Sequence, residues 1–181
     1  MLSSSSSGPT LAGHSLDAFS DKYRQFFPRV FAFVYARVGD VHRTEDIVSE
    51  VFERAFTKAD SLRSQDAFST WLFTIARNAV ISHGRRSSRE TIVDPEVMRE
   101  IIPAAASVET EVLRNEELRD IARILRDFPQ RDQDIISLKF DAELSNQQIA
   151  EIMDLNEPNV RVIIFRALRR LRERITAERS R

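Results

Sequence analysis

The chain reads as all-α, and three observations predict that fold class. Apolar residues recur three and four positions apart from Leu16 to Ile175, the spacing that lines one face of an α-helix. No stretch alternates apolar and polar residues in the way a half-buried strand requires. Capping residues and breakers punctuate the apolar stripes where helices should start and stop.

The elements follow in order. Residues 1–15, beginning MLSSSSSGPT, are rich in Ser and Gly and carry almost no apolar periodicity, which predicts a disordered tail. Leu16, Phe19, Tyr23, Phe26 and Phe27 mark a first helix. Pro28 then starts a second, which runs to about Val38 and stops at Gly39. Thr44, followed by Glu45 and Asp46, reads as an N-cap with acids in the first turn. Behind it Val48, Val51, Phe52, Ala55 and Ala59 form one stripe. Ser64 and Asp66 open the next helix, on which Phe68, Trp71, Leu72, Ile75 and Ala79 share a face that fades at Gly84. Residues 87–108, with Pro95 and Pro103, break the rhythm and read as a linker. Helicity resumes from Glu109 to about Phe128, and again over about 131–140. Ser145 and Gln148 form a capping box for a short helix over 145–153. Asn156 caps a long last helix with Pro158 in its first turn. The expected organisation is a tail (1–15), a helical module (16–86), a flexible acidic linker (87–108) and a second helical module (109–178), with no further domain beyond.

Composition excludes several functions. There is no cysteine, so disulfides, thiolate zinc sites and a cysteine nucleophile are excluded. Four scattered glycines cannot form a phosphate-cradling loop. The longest apolar run, from Val30 to Ala36, is too short to cross a bilayer, and no secretory leader is evident. These features predict a soluble cytoplasmic protein. The net charge of −1 conceals separated blocks: +3 over 20–86, −3 over 87–110, −5 over 111–154 and +5 over 155–181. At a Debye length of about 8 Å, distant acids do not neutralise a basic helix.

The segment from Leu144 to Arg170 has the plan of a helix-turn-helix. At about 100° per residue, Val160, Ile164, Ala167, Leu168, Leu171 and Ile175 cluster as a core face. Val162, Phe165, Arg166, Arg169 and Glu173 lie opposite, with Arg161 and Arg172 on the flank. Arginines and apolar groups on one face suit guanine edges, phosphates and thymine methyls in a major groove. In the first module, Asp46, Glu50 and Glu53, flanked by Ser49, oppose the apolar stripe and offer a docking face to a basic partner. Glu50 and Glu53 also have a spacing that could hold Mg²⁺ in an all-helical nucleotide pyrophosphohydrolase. No second acidic pair supports that reading, and His14, His42 and His83 are too dispersed for a site. On the helix over 66–86, Phe68 and Trp71 fall with the core. Phe73 falls as an exposed ring near Arg77, Asn78, Arg85 and Arg86, a mixture suited to single-stranded DNA.

Over residues 16–178 the chain resembles the extracytoplasmic-function sigma factors of bacterial RNA polymerase. TEDIVSEVFERAF (44–56) is similar to the polymerase-docking segment, FSTWLFTIARNAVISHGRR (68–86) to the −10 recognition and melting segment, and LSNQQIAEIMDLNEPNVRVIIFRALRRLRE (144–173) to the −35 helix-turn-helix. The resemblance implies a non-enzymatic promoter-specificity subunit that uses no cofactor or metal. Asp46, Ser49, Glu50 and Glu53 would meet the β′ clamp helices, with Ser49 standing where the family usually has glutamine. Ser61, Leu62, Arg63 and Ser64 lie in the loop to Asp66 that would capture a flipped −10 base, beside Asn78. Phe73, Arg77, Arg85 and Arg86 belong to the same −10 segment. Asn159, Arg161, Val162, Phe165, Arg166 and Arg169 would read −35 DNA, although Val162 and Ile163 depart from the usual small polar and basic residues. The implied partners are core polymerase, including its β flap, promoter DNA and an anti-sigma factor, without a membrane. The implied location is the cytoplasm, at the nucleoid when bound to polymerase. The acidic linker resembles one that threads the RNA channel. A stand-alone helix-turn-helix regulator is the alternative reading.

Overall fold

A 28-residue helix, α1 (Leu11–Val38), starts the fold and carries Pro28 within it. The computed structural model describes residues 11–58, 67–84 and 120–180. Pro28 therefore does not divide α1 into two helices. The proline costs one backbone hydrogen bond, but the apolar residues on both sides, Phe26, Val30, Phe31, Phe33 and Val34, are all buried. Their shared burial holds the helix continuous through the defect. Residues 11–15, expected in the disordered tail, form the first turn of α1, and residues 1–10 lie outside the described residues.

Gly39 ends α1 at φ 61°, a left-handed turn in which its N–H donates to the Tyr35 carbonyl at 2.7 Å. The next helix, α2 (Val41–Lys58), begins earlier than Thr44. Asp40 supplies the cap instead, accepting the Arg43 N–H at 2.9 Å. Thr44 sits inside the helix, fully buried, with its N–H on the Asp40 carbonyl and its hydroxyl unpartnered. A carboxylate directly after the glycine turn reaches the free N–H groups first, so the cap moves one turn upstream. Helix α3 (Phe68–Gly84) completes the first module. Ser64 and Asp66, expected to open it, lie outside the described residues.

The first module is packed through rings. Phe27, Phe31 and Tyr35 follow one another along α1 at centroid separations of 5.9 and 6.0 Å, and Phe33 meets Phe73 of α3 edge-on at 5.8 Å. From α2, Ile47, Val48, Val51, Phe52 and Ala55 close the core, with the spacing expected of one helical stripe.

The second module contains α4 (120–126), α5 (Gln130–Phe140), α6 (Asn146–Met153) and α7 (Glu157–Arg179). Among the described residues there is no strand. The capping box of α6 is complete: Gln148 N–H donates to Ser145 Oγ at 3.2 Å, and Ser145 N–H donates to Gln148 Oε1 at 2.9 Å. Asn156 caps α7 by accepting the Asn159 N–H at 2.9 Å, with Pro158 in the first turn. A small apolar cluster of Ile124, Phe128, Ile136 and Ala167 joins α4, α5 and α7, and Arg170 lies over the Phe128 ring at 4.6 Å. A larger core runs without interruption from the first module into Ile135, Leu138, Leu144, Ile149 and Val160 of the second. The two modules are therefore packed together.

Asp141, at the end of α5, accepts the Ser137 hydroxyl at 2.5 Å. Enclosure of its carboxyl pushes its pKa up to about 6, a rise the Ser137 bond only partly opposes. A raised carboxyl pKa favours the folded state while the group is protonated. Its contribution is thus fully present below about pH 4 and is lost as pH rises to about 6. Asp141→Asn is expected to remove this component, so urea midpoints of variant and parent should diverge in the variant's favour from pH 4 to 7. A constant difference across that range would contradict the assignment.

Candidate nucleic-acid and polymerase interface

On α2, side chains facing away from the core place Asp46, Ser49 and Glu53 in solvent. Glu50 on the same face is half-buried and engaged. His83 Nε2 of α3 lies 2.8 Å from its Oε2, and Arg54 pairs with its other oxygen. This ties the middle of α2 to the last turn of α3. It also leaves Glu50 and Glu53 without the free paired carboxylates that a cation would need, and among the described residues no group of acids and histidines could hold a metal.

On α3, Asn78 is exposed, while Phe68 is buried and Trp71 partly so, 6.0 Å from it. Phe73 corrects the expectation of an exposed ring: it is fully buried against Phe33. The apolar arc of α3 is wider than one stripe because α1 covers one side of the helix and the second module another. Arg77 is partly buried, with Nε 3.4 Å from Asp134 Oδ2 on α5. Ser61, Leu62, Arg63, Ser64, Arg85 and Arg86 lie outside the described residues.

The helix-turn-helix is formed by α6, a turn and α7. Asp154 takes the left-handed conformation at φ 53°. Its N–H and that of Leu155 both donate to the Ala150 carbonyl, which closes α6 and redirects the chain into Leu155 and Asn156. Along α7, Val160 and Ala167 are buried, and Ile163, Ile164, Leu171 and Ile175 are partly buried against the core. Leu168, expected in the core face, is 40% exposed, because its angular position lies at the edge of the arc that α5 and α6 cover. Asn159, Arg161, Val162, Phe165, Arg166 and Arg169 are all exposed, with Phe165 at 66% and Val162 at 44%. Arg161 pairs with Glu157 at 2.7 Å and Arg169 with Glu173 at 3.4 Å, one turn away in each case. Pairs this exposed hold little free energy, so both guanidiniums can turn to a phosphate or a base. The outer face of α7 thus presents three arginines, Arg161, Arg166 and Arg169, together with the apolar side chains of Val162 and Phe165.

Sequence reading missed two features, the His83–Glu50 contact and Asp134. Asp134 is buried between Arg37 of α1 and Arg77 of α3, with Arg37 Nη1 at 3.5 Å. Burial lowers the Arg37 pKa, Asp134 opposes that shift, and Arg77 adds to it. An aspartate in the middle of an apolar-flanked helix (Asp134-Ile135-Ile136) was the available signal.

Residues 23–90 match the family described as Sigma-70 region 2, and residues 117–173 match Sigma-70, region 4. The chain is 30% identical over 167 residues to the ECF RNA polymerase sigma factor SigW of Bacillus subtilis, covering 88% of this chain and 89% of that one. It is 35% identical over 146 residues to the ECF RNA polymerase sigma-E factor of Escherichia coli, covering 74% and 72%. Among solved structures, the sigma factor RpoE of Bartonella quintana, in complex with the anti-sigma factor NepR, superposes with a TM-score of 0.70 at 22% identity, over 88% of this chain and 98% of that one. CnrH, in complex with the cytosolic domain of CnrY, superposes at 0.64 and 19% identity, over 92% and 96%. Both show the same fold.

Proposed function

The chain belongs to the extracytoplasmic-function sigma factors, the promoter-specificity subunits of bacterial RNA polymerase, and from that premise we propose which surfaces do which work. The solvent face of α2, with Asp46, Ser49 and Glu53 outermost and Glu50 behind them, docks on the β′ clamp helices. The outer face of α7 reads −35 duplex through Asn159, Arg161, Val162, Phe165, Arg166 and Arg169. Helix α3 and the residues before it, with Asn78, Arg77, Arg85, Arg86 and residues 61–64, engage the −10 element. Phe73 contributes as core to that module and not as a stacking platform. We place the first module from the start of α1 to residue 86, the linker over 87–108 and the second module over 109–178. Such a subunit performs no catalysis of its own and works in the cytoplasm, at the nucleoid when joined to polymerase. An anti-sigma factor is a further partner by analogy with the two structural relatives.

The observation that carries this reading is the placement of an acidic exposed face and a separate arginine-rich, apolar-flecked face on one chain. The acidic face suits a basic protein surface, and the arginine-rich face suits a duplex. Neither face needs to bind tightly alone, because joining both contacts in one complex raises the effective concentration of the second. The test is run-off transcription: core polymerase plus this chain should initiate at a subset of genomic fragments that core alone ignores. Arg166→Ala is expected to reduce discrimination between matched and scrambled −35 elements by about 1–3 kcal/mol, measured by competition in the holoenzyme. Equal discrimination in parent and variant would remove Arg166 from base reading.

A further inference from the structure

Helix α7 carries an apolar side chain at a position where its own fold has no use for one. The buried Val160 and Ala167 and the partly buried Ile163, Ile164, Leu171 and Ile175 define the face turned to the core. At about 100° per residue, Val162 falls within about 20° of the point opposite their centre. It is exposed there, and a β-branched side chain in an exposed helix interior costs helical stability with no packing to offset it. Phe165, three residues on, is the most exposed large apolar side chain among the described residues. Helix neighbours at that spacing lie about 5–6 Å apart at Cβ, so the two form a single apolar patch.

Charge around the patch selects its occupant. Arg166 lies four residues from Val162, Arg169 lies four from Phe165, and Asn159 stands three before Val162; all are exposed. An apolar protein segment seated on Val162 and Phe165 would have to cover this ring of cations. A duplex offers phosphates to the cations and base edges to the patch at the same time. Glu173, also exposed, lies four residues beyond Arg169 and would repel a phosphate, so the stretch turned to the duplex ends before it. Val162 and Phe165 both lie in the N-terminal half of α7, the part that a recognition helix brings to base edges.

Neither side chain donates or accepts a hydrogen bond, so neither reads the donor and acceptor pattern of a base pair. In the major groove, the C5-methyl of thymine is the apolar group that sets one base apart from the others. We propose that Val162, backed by Phe165, is a specificity-determining contact for a C5-methyl group in the −35 element, so that this chain selects a thymine at one position by its methyl. The proposal deepens the assignment of α7 to the −35 duplex and rests on it. A contact that senses only the methyl has a further property. It treats 5-methylcytosine as it treats thymine, and uracil as it treats cytosine.

The test uses core polymerase joined by the full chain, and a promoter whose −35 element has been selected from a randomised library by run-off transcription. Each thymine of that element, on either strand, is replaced in turn by deoxyuridine, which removes the methyl and nothing else. At one position the replacement should weaken holoenzyme binding about fourfold, the ratio that burial of a single carbon of this kind gives. At the same position 5-methylcytosine should be bound more tightly than cytosine by a similar factor. Val162→Ala should bind the thymine and uracil promoters equally, and its helix is kept because alanine is the stronger helix former. Uracil tolerated at every position overturns the contact, as does a methyl effect that is undiminished in Val162→Ala. A library that shows no enrichment at all overturns the −35 assignment, and the methyl contact with it. An enriched element indifferent to its methyl groups overturns the contact alone, so the two failures are distinguishable.

Discussion

Phe73→Ala is expected to cost about 3–5 kcal/mol of unfolding free energy, enough to lower the melting temperature by about 6–20 °C, since each kcal/mol shifts a chain of this size by about 2–4 °C. The ring is fully enclosed, edge-on to Phe33 and within 5.9 Å of the Arg29 guanidinium. Its removal forfeits the transfer free energy of a phenyl group and leaves a void between α1 and α3 that backbone movement only partly fills. An exposed stacking ring would behave in the opposite way: stability would change by less than about 0.5 kcal/mol, and binding to single-stranded −10 DNA would fall. Thermal and urea unfolding of the purified chain separate the two. A stability loss below 1 kcal/mol would show that the ring is not core.

Asp46→Arg should reduce capture by core polymerase about 100-fold and leave the melting temperature within 2 °C of the parent. The side chain is exposed on the face proposed to meet the clamp helices, far from the buried stripe of α2. Reversal turns an attraction into like-charge juxtaposition, which costs several kcal/mol across an interface. Binding of the variant to isolated −35 duplex should not change, because α7 is on the other module. Surface plasmon resonance with immobilised core measures the first effect and a duplex titration the second. Undiminished capture would move the docking site elsewhere.

Much of this architecture was legible before any coordinates. Helix-period stripes gave α2 and α3 their faces, and the Ser145/Gln148 pair gave α6 its start, because these are local effects set within four residues. The errors also have local causes. Pro28 looked like a helix start because its propensity cost is local, whereas the burial that overrides it comes from α2 and α3. Thr44 looked like a cap because its hydroxyl competes well for free N–H groups, but Asp40 stands next to the glycine turn. Phe73 looked exposed because a helical wheel shows one stripe, and α3 is covered on more than one side. The features that sequence could not show, Glu50 with His83 and Asp134 with Arg37 and Arg77, join residues between 33 and 97 positions apart. No periodicity encodes such separations. For the DNA and polymerase surfaces, residue type and helical position were readable, since exposure on α2 and α7 follows from which side is apolar.

The Glu50–His83 contact gives the first module a thermodynamic symmetry. One carboxylate sits on the face proposed for polymerase, and the imidazole it holds ends the helix proposed for promoter melting. Any ligand that takes Glu50 from His83 changes the free energy of whatever the end of α3 binds, and linkage requires the reverse effect to have the same size. Promoter DNA bound there would then set how firmly the subunit stays on polymerase, so release after initiation would depend on the promoter sequence left behind.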